Sequence, residues 1–163
     1  MVYLKIWIHF VFSTKNGRPI LKAESRQPIV KFMRGMTREQ KIYLDHIAVM
    51  DEHIHCLVSL GKEQTISSVA KIISDKSADW INDNNMATEN LSWEDYYAVS
   101  VSELQLEDVK KYIRGQEKYH HYKSFDDELR EFFKRYGWRR PQDKSKKDNQ
   151  VADPVDFSDL ELK

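Results

Sequence analysis

The chain has 163 residues, 40% of them apolar and 12% aromatic, which is enough for one domain with a hydrophobic core. Lysine plus arginine and aspartate plus glutamate both number 26, so the zero net charge counts against a binder that relies on a generally basic surface. Cys56 is the only cysteine, which excludes an intrachain disulfide and is typical of a reducing compartment. No stretch approaches the ~20 apolar residues of a membrane span. We therefore expect a cytoplasmic protein with no membrane partner.

The first two thirds of the chain alternate between strand-like and helix-like patterns. Strands are predicted where apolar residues recur with period two, and helices where they recur at helical spacing. The predicted elements are a strand over residues 3–13, a helix over 22–39, strands over 41–50 and 53–60, a helix over 64–82 and a strand over 96–101. This β-α-β-β-α-β order predicts an α+β, ferredoxin-like (split βαβ) fold, with a four-stranded antiparallel sheet and helices on one face.

Two histidines stand at the start of the third predicted strand, in the run His53-Ile54-His55. Because side chains alternate along a strand, His53 and His55 share one face of the sheet and Ile54 points to the other. Two imidazoles side by side on a rigid strand can hold one metal ion or one anionic group. The structural alternative is a half-buried strand with two polar residues on its wetter face.

Two more helices are predicted after the fourth strand. Ser102 and Gln105 have capping-box spacing, which predicts a helix from there to about Tyr119. A second helix is predicted to start at Ser124 and to end at Gly137. Residues 1–140 are expected to form a single domain. Residues 141–163 are polar and are predicted to be a disordered tail.

Tyr112 and Gln116 lie four residues apart on the first of these helices and therefore share a face. A tyrosine hydroxyl is a poor nucleophile at neutral pH, because its ordinary pKa is ~10. The neighbouring cations Lys110, Lys111 and Arg114 would favour its phenolate. Gln116 offers a carbonyl oxygen, a hard ligand suited to Mg²⁺ or Mn²⁺. The alternative is a tyrosine packed in the core or at its rim and a solvated glutamine.

The other histidines are given lesser roles. His120 and His121 are expected at the surface of a helix end, and His120, four residues past Gln116, is a reserve metal ligand. His9 and His46 are expected to pack on the sheet face rather than to take part in chemistry.

Taken together, these motifs resemble the single-tyrosine HUH transposases, which include insertion-sequence and REP-associated tyrosine transposases. The likeness covers residues 7–138, and it rests on the run at 7–15, on His53-Ile54-His55 and on the run at 109–117. Its most specific part is the Tyr112-Ile113-x-x-Gln116 segment at this distance from the two histidines.

The resemblance implies an enzyme that cleaves DNA and transfers the cut strand. His53, His55 and Gln116 would hold Mg²⁺ or Mn²⁺, and Tyr112 would attack single-stranded DNA, often beside a hairpin. The products would be a 5′-phosphotyrosine and a free 3′-OH. The resemblance also implies a homodimer in which the tyrosine helix of one chain can serve the histidines of the other. The candidate DNA contacts are the basic residues Lys15, Arg18, Lys110, Lys111 and Arg114.

Other functions stay open. The main alternative is a non-catalytic or domesticated module that binds hairpin-containing single strands, with Trp7 and Tyr3 as stacking aromatics. A small-substrate phosphoesterase ranks last, because no third histidine or carboxylate lies at ligand spacing from His55. The chain also departs from the family pattern: it has no proline just before His53, and Gly115 lies within the tyrosine helix, where glycine costs ~1 kcal/mol relative to alanine. Gly115 marks either a kink beside the site or drift in a relic copy.

Overall fold

The structure is a computed structural model that describes residues 1–139 in two compact units, Met1–Asp126 and the residues from Asp127 onward. The helices and strands are β1 (Trp7–Thr14), α1 (Arg26–Glu39), β2 (Tyr43–Val49), β3 (His53–Ser59), α2 (Ile66–Asp83), β4 (Trp93–Val101), α3 (Leu106–Arg114), α4 (Gln116–His120) and α5 (Phe125–Tyr136). Short 3-10 turns at Lys15–Gly17 and Ala23–Ser25 precede α1.

The four strands form one antiparallel sheet in the order β2-β3-β1-β4. Both strands that neighbour β1 in the sheet lie far from it in sequence, as the split βαβ pattern requires. The strand β3 is central, and it follows β2 through a hairpin in which the Met50 amide donates to the His53 carbonyl at 2.9 Å. The predicted α+β, ferredoxin-like fold is confirmed.

One face of the sheet packs against α1 and α2 and forms the main core. Phe10, Ile54 and Cys56 point into it and are at most 1% exposed. The opposite face carries a smaller apolar cluster with α3, made of Trp7, Leu57, Val101, Leu106 and Ile113. The helix α3 therefore lies across the sheet from α1 and α2, over the face that carries His53 and His55.

The predicted first strand began too early. Pairing starts at Trp7, and Leu4 and Ile6, which were expected on its apolar face, are 45% and 42% exposed. The Asn-Gly pair after the strand forms a turn, in which Asn16 and Gly17 both adopt positive φ, at 55° and 62°. The predicted cap of α2 is confirmed, because the Thr65 side chain accepts a hydrogen bond from the Ser68 amide at 3.1 Å.

The predicted tyrosine helix is not continuous. It breaks at Gly115 into α3 and α4, because Gly115 has φ −90° and ψ 9°. A Cβ at Gly115 would lie 3.2 Å from the Lys111 carbonyl oxygen, which is tighter than ordinary van der Waals contact. The predicted capping box is also wrong, because no side chain caps the start of α3.

In the second unit, the described residues continue α5, which ends before Gly137 as predicted, with φ +65° at that glycine. The Trp138 ring packs back on Phe133 and Tyr136, with centroids 5.8 and 5.1 Å away. Among residues 1–139 no helix has the length and apolar character needed to cross a membrane. The tail predicted over residues 141–163 lies outside the described residues.

Candidate active site

His53 and His55 both lie fully buried on the central strand, facing away from the main core. Their partners across β1 are Ser13 and Val11, and Ala48 of β2 pairs with His55. These neighbours are small or β-branched, so the two imidazoles stand above them with ring centroids 4.9 Å apart. The structure thus places both predicted histidines on one face, inside the protein.

The ring of His53 is held on two sides. Its Nδ1 lies 2.8 Å from Glu52 Oε1, and the Phe125 ring stacks on it with a centroid distance of 4.0 Å. An ionised carboxylate only accepts hydrogen bonds, so Nδ1 carries the proton. In the neutral imidazole the lone pair is then on Nε2, the arrangement typical of a histidine that binds metal.

His55 contacts a residue that sequence reasoning placed outside the site. His9 Nε2 lies 2.8 Å from His55 Nδ1, and the two rings stack at 5.1 Å. His9 is only 4% exposed, on β1. The packing role predicted for it is therefore incomplete. The signal was present in the strand alternation, which puts His9 on the same face as Trp7, but strand pairing was needed to bring it to His55.

Tyr112 comes to the histidines from α3 within the same chain. Its ring lies edge-on to His55, with centroids 5.6 Å apart, and 6.2 Å from His9. The Tyr119 ring flanks it at 5.3 Å. Because Ile113 is buried in the α3 cluster, the helix is held with Tyr112 turned toward the sheet.

Gln116 is buried rather than solvated, at 1% exposure. Its Oε1 lies 3.4 Å from His53 Nε2 and 2.9 Å from His120 Nε2. Its amide nitrogen donates to the Tyr112 carbonyl at 3.4 Å, which directs the oxygen toward the histidines. The predicted tyrosine and glutamine are thus brought to the predicted histidine pair.

His120 is not the surface histidine that was expected. It is half-buried, its ring centroid lies 4.8 Å from that of His53, and its Nδ1 lies 2.8 Å from the Lys123 carbonyl oxygen. His121, by contrast, is exposed as predicted. Gln116 and His120 lie four residues apart on α4 and therefore share a face, which brings His120 to the buried glutamine.

Arg26 ties the site to the start of α1. Its guanidinium forms ion pairs at 2.7 Å with Asp51, in the β2–β3 hairpin, and with Glu117, on α4. The hydrogen bond to Asp51 is the main cause that raises the Arg26 pKa, and Glu117 adds to it, while partial burial opposes them. The arginine therefore links the segment before His53 to the segment after Gln116.

Of the three DNA contacts predicted on α3, two are paired with residues of β2 and one is exposed. Lys110 lies 3.6 Å from Asp45 and Arg114 lies 2.8 Å from His46, so both are directed to the edge strand β2. Lys111 is exposed on the same helix. Lys110 and Arg114 accordingly lie along β2, at the edge of the sheet.

The other predicted DNA contacts lie in the turn after β1. Arg18 forms an ion pair with Glu89 at 2.7 Å, and Lys15 is exposed. Trp7 is only 4% exposed and its Nε1 donates to Glu103 at 3.0 Å. A buried indole has no open ring face for a base, so Trp7 cannot be the stacking platform of the binding-module alternative.

The donor atoms fit a divalent metal ion. His53 Nε2 and Gln116 Oε1 lie 3.4 Å apart, close to the ~3 Å that separates neighbouring ligands at bond lengths of ~2.1 Å. In the neutral tautomer that Glu52 favours, the lone pair of His53 Nε2 faces the Gln116 oxygen, whose orientation is set by the hydrogen bond from the Gln116 amide to the Tyr112 carbonyl. Imidazole nitrogen and amide oxygen are both ordinary ligands of divalent ions.

The sequence pattern of the IS200-like transposases matches residues 2–116. The chain belongs to this family. The match includes the two histidines of β3 and Tyr112, and it ends at Gln116. No curated protein matches the sequence of this transposase.

Two solved structures resemble this IS200-like transposase at TM-score 0.56. One is a protein of Deinococcus radiodurans R1, provisionally described as a transposase, with 20% identity over 71% of this chain and 93% of the other. The other is a REP-associated tyrosine transposase bound to a REP hairpin, with 18% identity over 74% of this chain and 72% of the other. At these identities the likeness shows a shared fold, and the predicted membership of the single-tyrosine HUH transposases is confirmed.

Proposed function

We propose that this transposase cleaves and rejoins single-stranded DNA through a covalent 5′-phosphotyrosine on Tyr112. The observation that carries the proposal is the convergence of Tyr112 and Gln116 on His53 and His55 within one chain. The Tyr112 ring lies 5.6 Å from His55, and the Gln116 oxygen lies 3.4 Å from His53. The three protein groups proposed as metal ligands are His53, His55 and Gln116.

In the proposed step the Tyr112 phenol oxygen attacks the phosphorus of a phosphodiester. A bond forms between that oxygen and phosphorus, and the bond from phosphorus to the 3′ oxygen breaks. The phenol gives up its proton and the departing 3′ oxygen takes one up. Rejoining reverses this exchange, with a 3′-OH attacking the phosphotyrosine, so no external energy source is needed.

The surroundings of the site support this chemistry. When bound, Mg²⁺ or Mn²⁺ would act as a Lewis acid on the scissile phosphate. Glu52 holds His53 in the tautomer with its lone pair on Nε2. His9 contacts Nδ1 of His55 and would do the same there. Helix α3, anchored by Ile113, keeps the Tyr112 ring at the histidines.

The DNA is proposed to be single-stranded and hairpin-containing. Support comes from the family, and from the related REP-associated transposase, which binds a REP hairpin. Lys15, Arg18 and Lys111 are the proposed phosphate contacts, since Lys15 and Lys111 are exposed and Arg18 is 60% exposed beside its partner Glu89. Such contacts would make binding weaken as salt is raised.

The test is a covalent-adduct assay. Single-stranded oligonucleotides from the DNA flanking the gene, labelled at the 3′ end, are incubated with protein, with and without Mg²⁺ or Mn²⁺, and separated on a denaturing gel. We expect a metal-dependent shifted band that is absent with Tyr112→Phe and present with Tyr122→Phe, an exposed tyrosine as control. An adduct that survives Tyr112→Phe would refute the assigned nucleophile. Retarded mobility on a native gel with no adduct would instead support the binding module.

A homodimer is proposed from the family likeness, and a complementation assay tests whether its sites are shared. His53→Ala and Tyr112→Phe variants are each assayed alone and then mixed. Because Tyr112 contacts His55 of its own chain, we expect sites assembled within one chain and no recovery of adduct in the mixture. Recovery would show that the tyrosine of one chain serves the histidines of the other.

A further inference from the structure

Three polar atoms meet beside the proposed metal site, and one of them belongs to His120. Gln116 Oε1 lies 2.9 Å from His120 Nε2 and 3.4 Å from His53 Nε2. All three residues lie in the first compact unit. The match to the family covers residues 2–116, so His120 lies outside the matched residues.

The hydrogen-bond partners determine which atoms carry protons. His120 Nδ1 lies 2.8 Å from the Lys123 carbonyl oxygen, which can only accept, so Nδ1 carries the proton and the lone pair of the neutral ring is on Nε2. The same reasoning puts the lone pair of His53 on Nε2, because its Nδ1 faces Glu52. Gln116 donates its amide N–H to the Tyr112 carbonyl, so its oxygen faces both rings.

The result is a cluster of acceptors that face one another. An amide oxygen at 2.9 Å from an imidazole lone pair is repulsive unless a positive charge lies between or beside them. A divalent cation bound by all three atoms would supply that charge. The alternative is a protonated His120 that donates its Nε2–H to Gln116, in which case it only supports the glutamine.

We propose that His120 Nε2 is a ligand of the divalent ion, together with His53 Nε2 and Gln116 Oε1. This inference rests on the proposed function and adds an imidazole to its ligand set of His53, His55 and Gln116. Imidazole nitrogen suits first-row transition ions, whereas Mg²⁺ prefers oxygen. The set therefore favours Mn²⁺ over Mg²⁺.

The local chain supports this assignment. Gln116 and His120 are one helical turn apart on α4, so their side chains reach the same point. The bond from His120 to the Lys123 carbonyl holds the ring as outer hydrogen bonds hold metal-bound histidines elsewhere. Glu117, on the same short helix, is paired with Arg26, which anchors α4 beside the hairpin that leads into His53.

The test measures metal binding directly. Mn²⁺ is titrated into the full chain and the free ion is followed by electron paramagnetic resonance, with Mg²⁺ added as a competitor. We expect His120→Ala to raise the Kd for Mn²⁺ by about tenfold to a hundredfold and to reduce the preference for Mn²⁺ over Mg²⁺. His121→Ala is the matched control, because this neighbouring histidine is exposed, and its Kd should stay within about twofold of the wild type.

A second variant, and a count of the imidazoles bound to Mn²⁺, distinguish the loss of a ligand from misfolding. His120→Gln can still donate to the Lys123 carbonyl but has no imidazole, so it should lose the nitrogen ligand even if its amide oxygen binds the ion. Electron spin-echo modulation of bound Mn²⁺, in protein carrying ¹⁵N-labelled histidine, should show one imidazole fewer in His120→Gln than in wild type.

The outcomes separate the two proposals. If His120→Gln binds Mn²⁺ as His121→Ala does, with an unchanged imidazole count, His120 is not a ligand and this inference is wrong. In that case His53→Ala should still abolish binding, and the proposed function stands. If His53→Ala also binds Mn²⁺ normally, both the His120 assignment and the metal site of the proposed function are refuted.

Discussion

The two faces of the sheet are built from the same strands and do different work. Along β3, Ile54 and Cys56 enter a core of apolar side chains beneath α1 and α2, whereas His53 and His55 are just as buried on the opposite face. On that face the burial of polar groups is balanced by specific hydrogen bonds, such as those of His53 to Glu52 and of His55 to His9. Alternation along one strand thus separates the residues that stabilise the fold from those proposed to react.

The largest effect on stability is expected from removing an apolar side chain of the main core. Ile54→Ala should lower the free energy of unfolding by about 2–5 kcal/mol, because it leaves a cavity in the main core. The Mn²⁺ affinity of the folded protein should be unchanged, because Ile54 points away from the histidines. Urea unfolding measures the first quantity and metal titration the second. Leu104→Ala is the control, because Leu104 is 96% exposed, and it should change stability by less than about 0.5 kcal/mol. A loss below about 1 kcal/mol for Ile54→Ala would contradict the prediction.

On the opposite face, removing a histidine that contacts His55 should weaken metal binding. His9→Leu should raise the Kd for Mn²⁺ by about tenfold to a hundredfold, because His55 loses the partner of its Nδ1. Binding is followed by titration with Mn²⁺. His46→Leu is the control, since the ring nitrogens of His46 contact Asp45 and Arg114 instead. Wild-type affinity in His9→Leu would show that His55 does not need this partner.

Cys56 gives a pH-dependent test of the apolar face. Burial raises the pKa of its thiol from 9.0 to about 12. The thiol therefore stays protonated in the folded state, whereas in the unfolded chain the same thiol ionises above pH 9.0. The free energy of unfolding consequently falls as pH rises from 9.0 toward 12. The loss should approach about 1.4 kcal/mol per pH unit. Below this window the thiol has no effect.

Unfolding by urea at several pH values measures this loss, with Cys56→Ala as reference. The substitution has its own constant cost, but it should remove the additional decline above pH 9.0. Parallel declines in wild type and variant would refute the raised pKa.

The smallest effect is expected at the cap of α2. Thr65→Ala should cost about 1 kcal/mol of unfolding free energy, because the Ser68 amide loses its acceptor. The helix packs on the apolar face, so Mn²⁺ affinity should not change. Thr65→Ser keeps the hydroxyl and should retain most of the stability in the same urea experiment. A matching change in metal affinity would mean that the two faces are coupled.

Sequence reasoning succeeded where the signal is local. Period-two alternation placed His53 and His55 on one face, and helical spacing paired Tyr112 with Gln116. The order of strands and helices was enough for the ferredoxin-like topology, which the structure confirms.

Sequence reasoning failed where contacts join segments that are distant in the chain. His9 lies 46 residues from His55, and only the pairing of β1 with β3 brings their rings together. Residues 3–6 continue the alternating pattern of β1 but lie outside the strand, and among them Ile6 accepts a backbone hydrogen bond from the Leu60 amide at 2.8 Å. A pattern of side chains records which faces are apolar, but it does not record where a neighbouring strand ends.

By itself, then, the sequence determined the element types and the two faces of each strand, because these follow from periodicities within single segments. The order of those elements along the chain was enough for the ferredoxin-like pattern. The tertiary structure decided which buried polar groups meet. The position of α4 brings His120 to Gln116 and His53, and strand pairing sets His9 against His55. The carboxylate beside His53 and the carbonyl beside His120 then favour a proton on Nδ1 of each ring, which leaves Nε2 as the atom that can bind a metal ion.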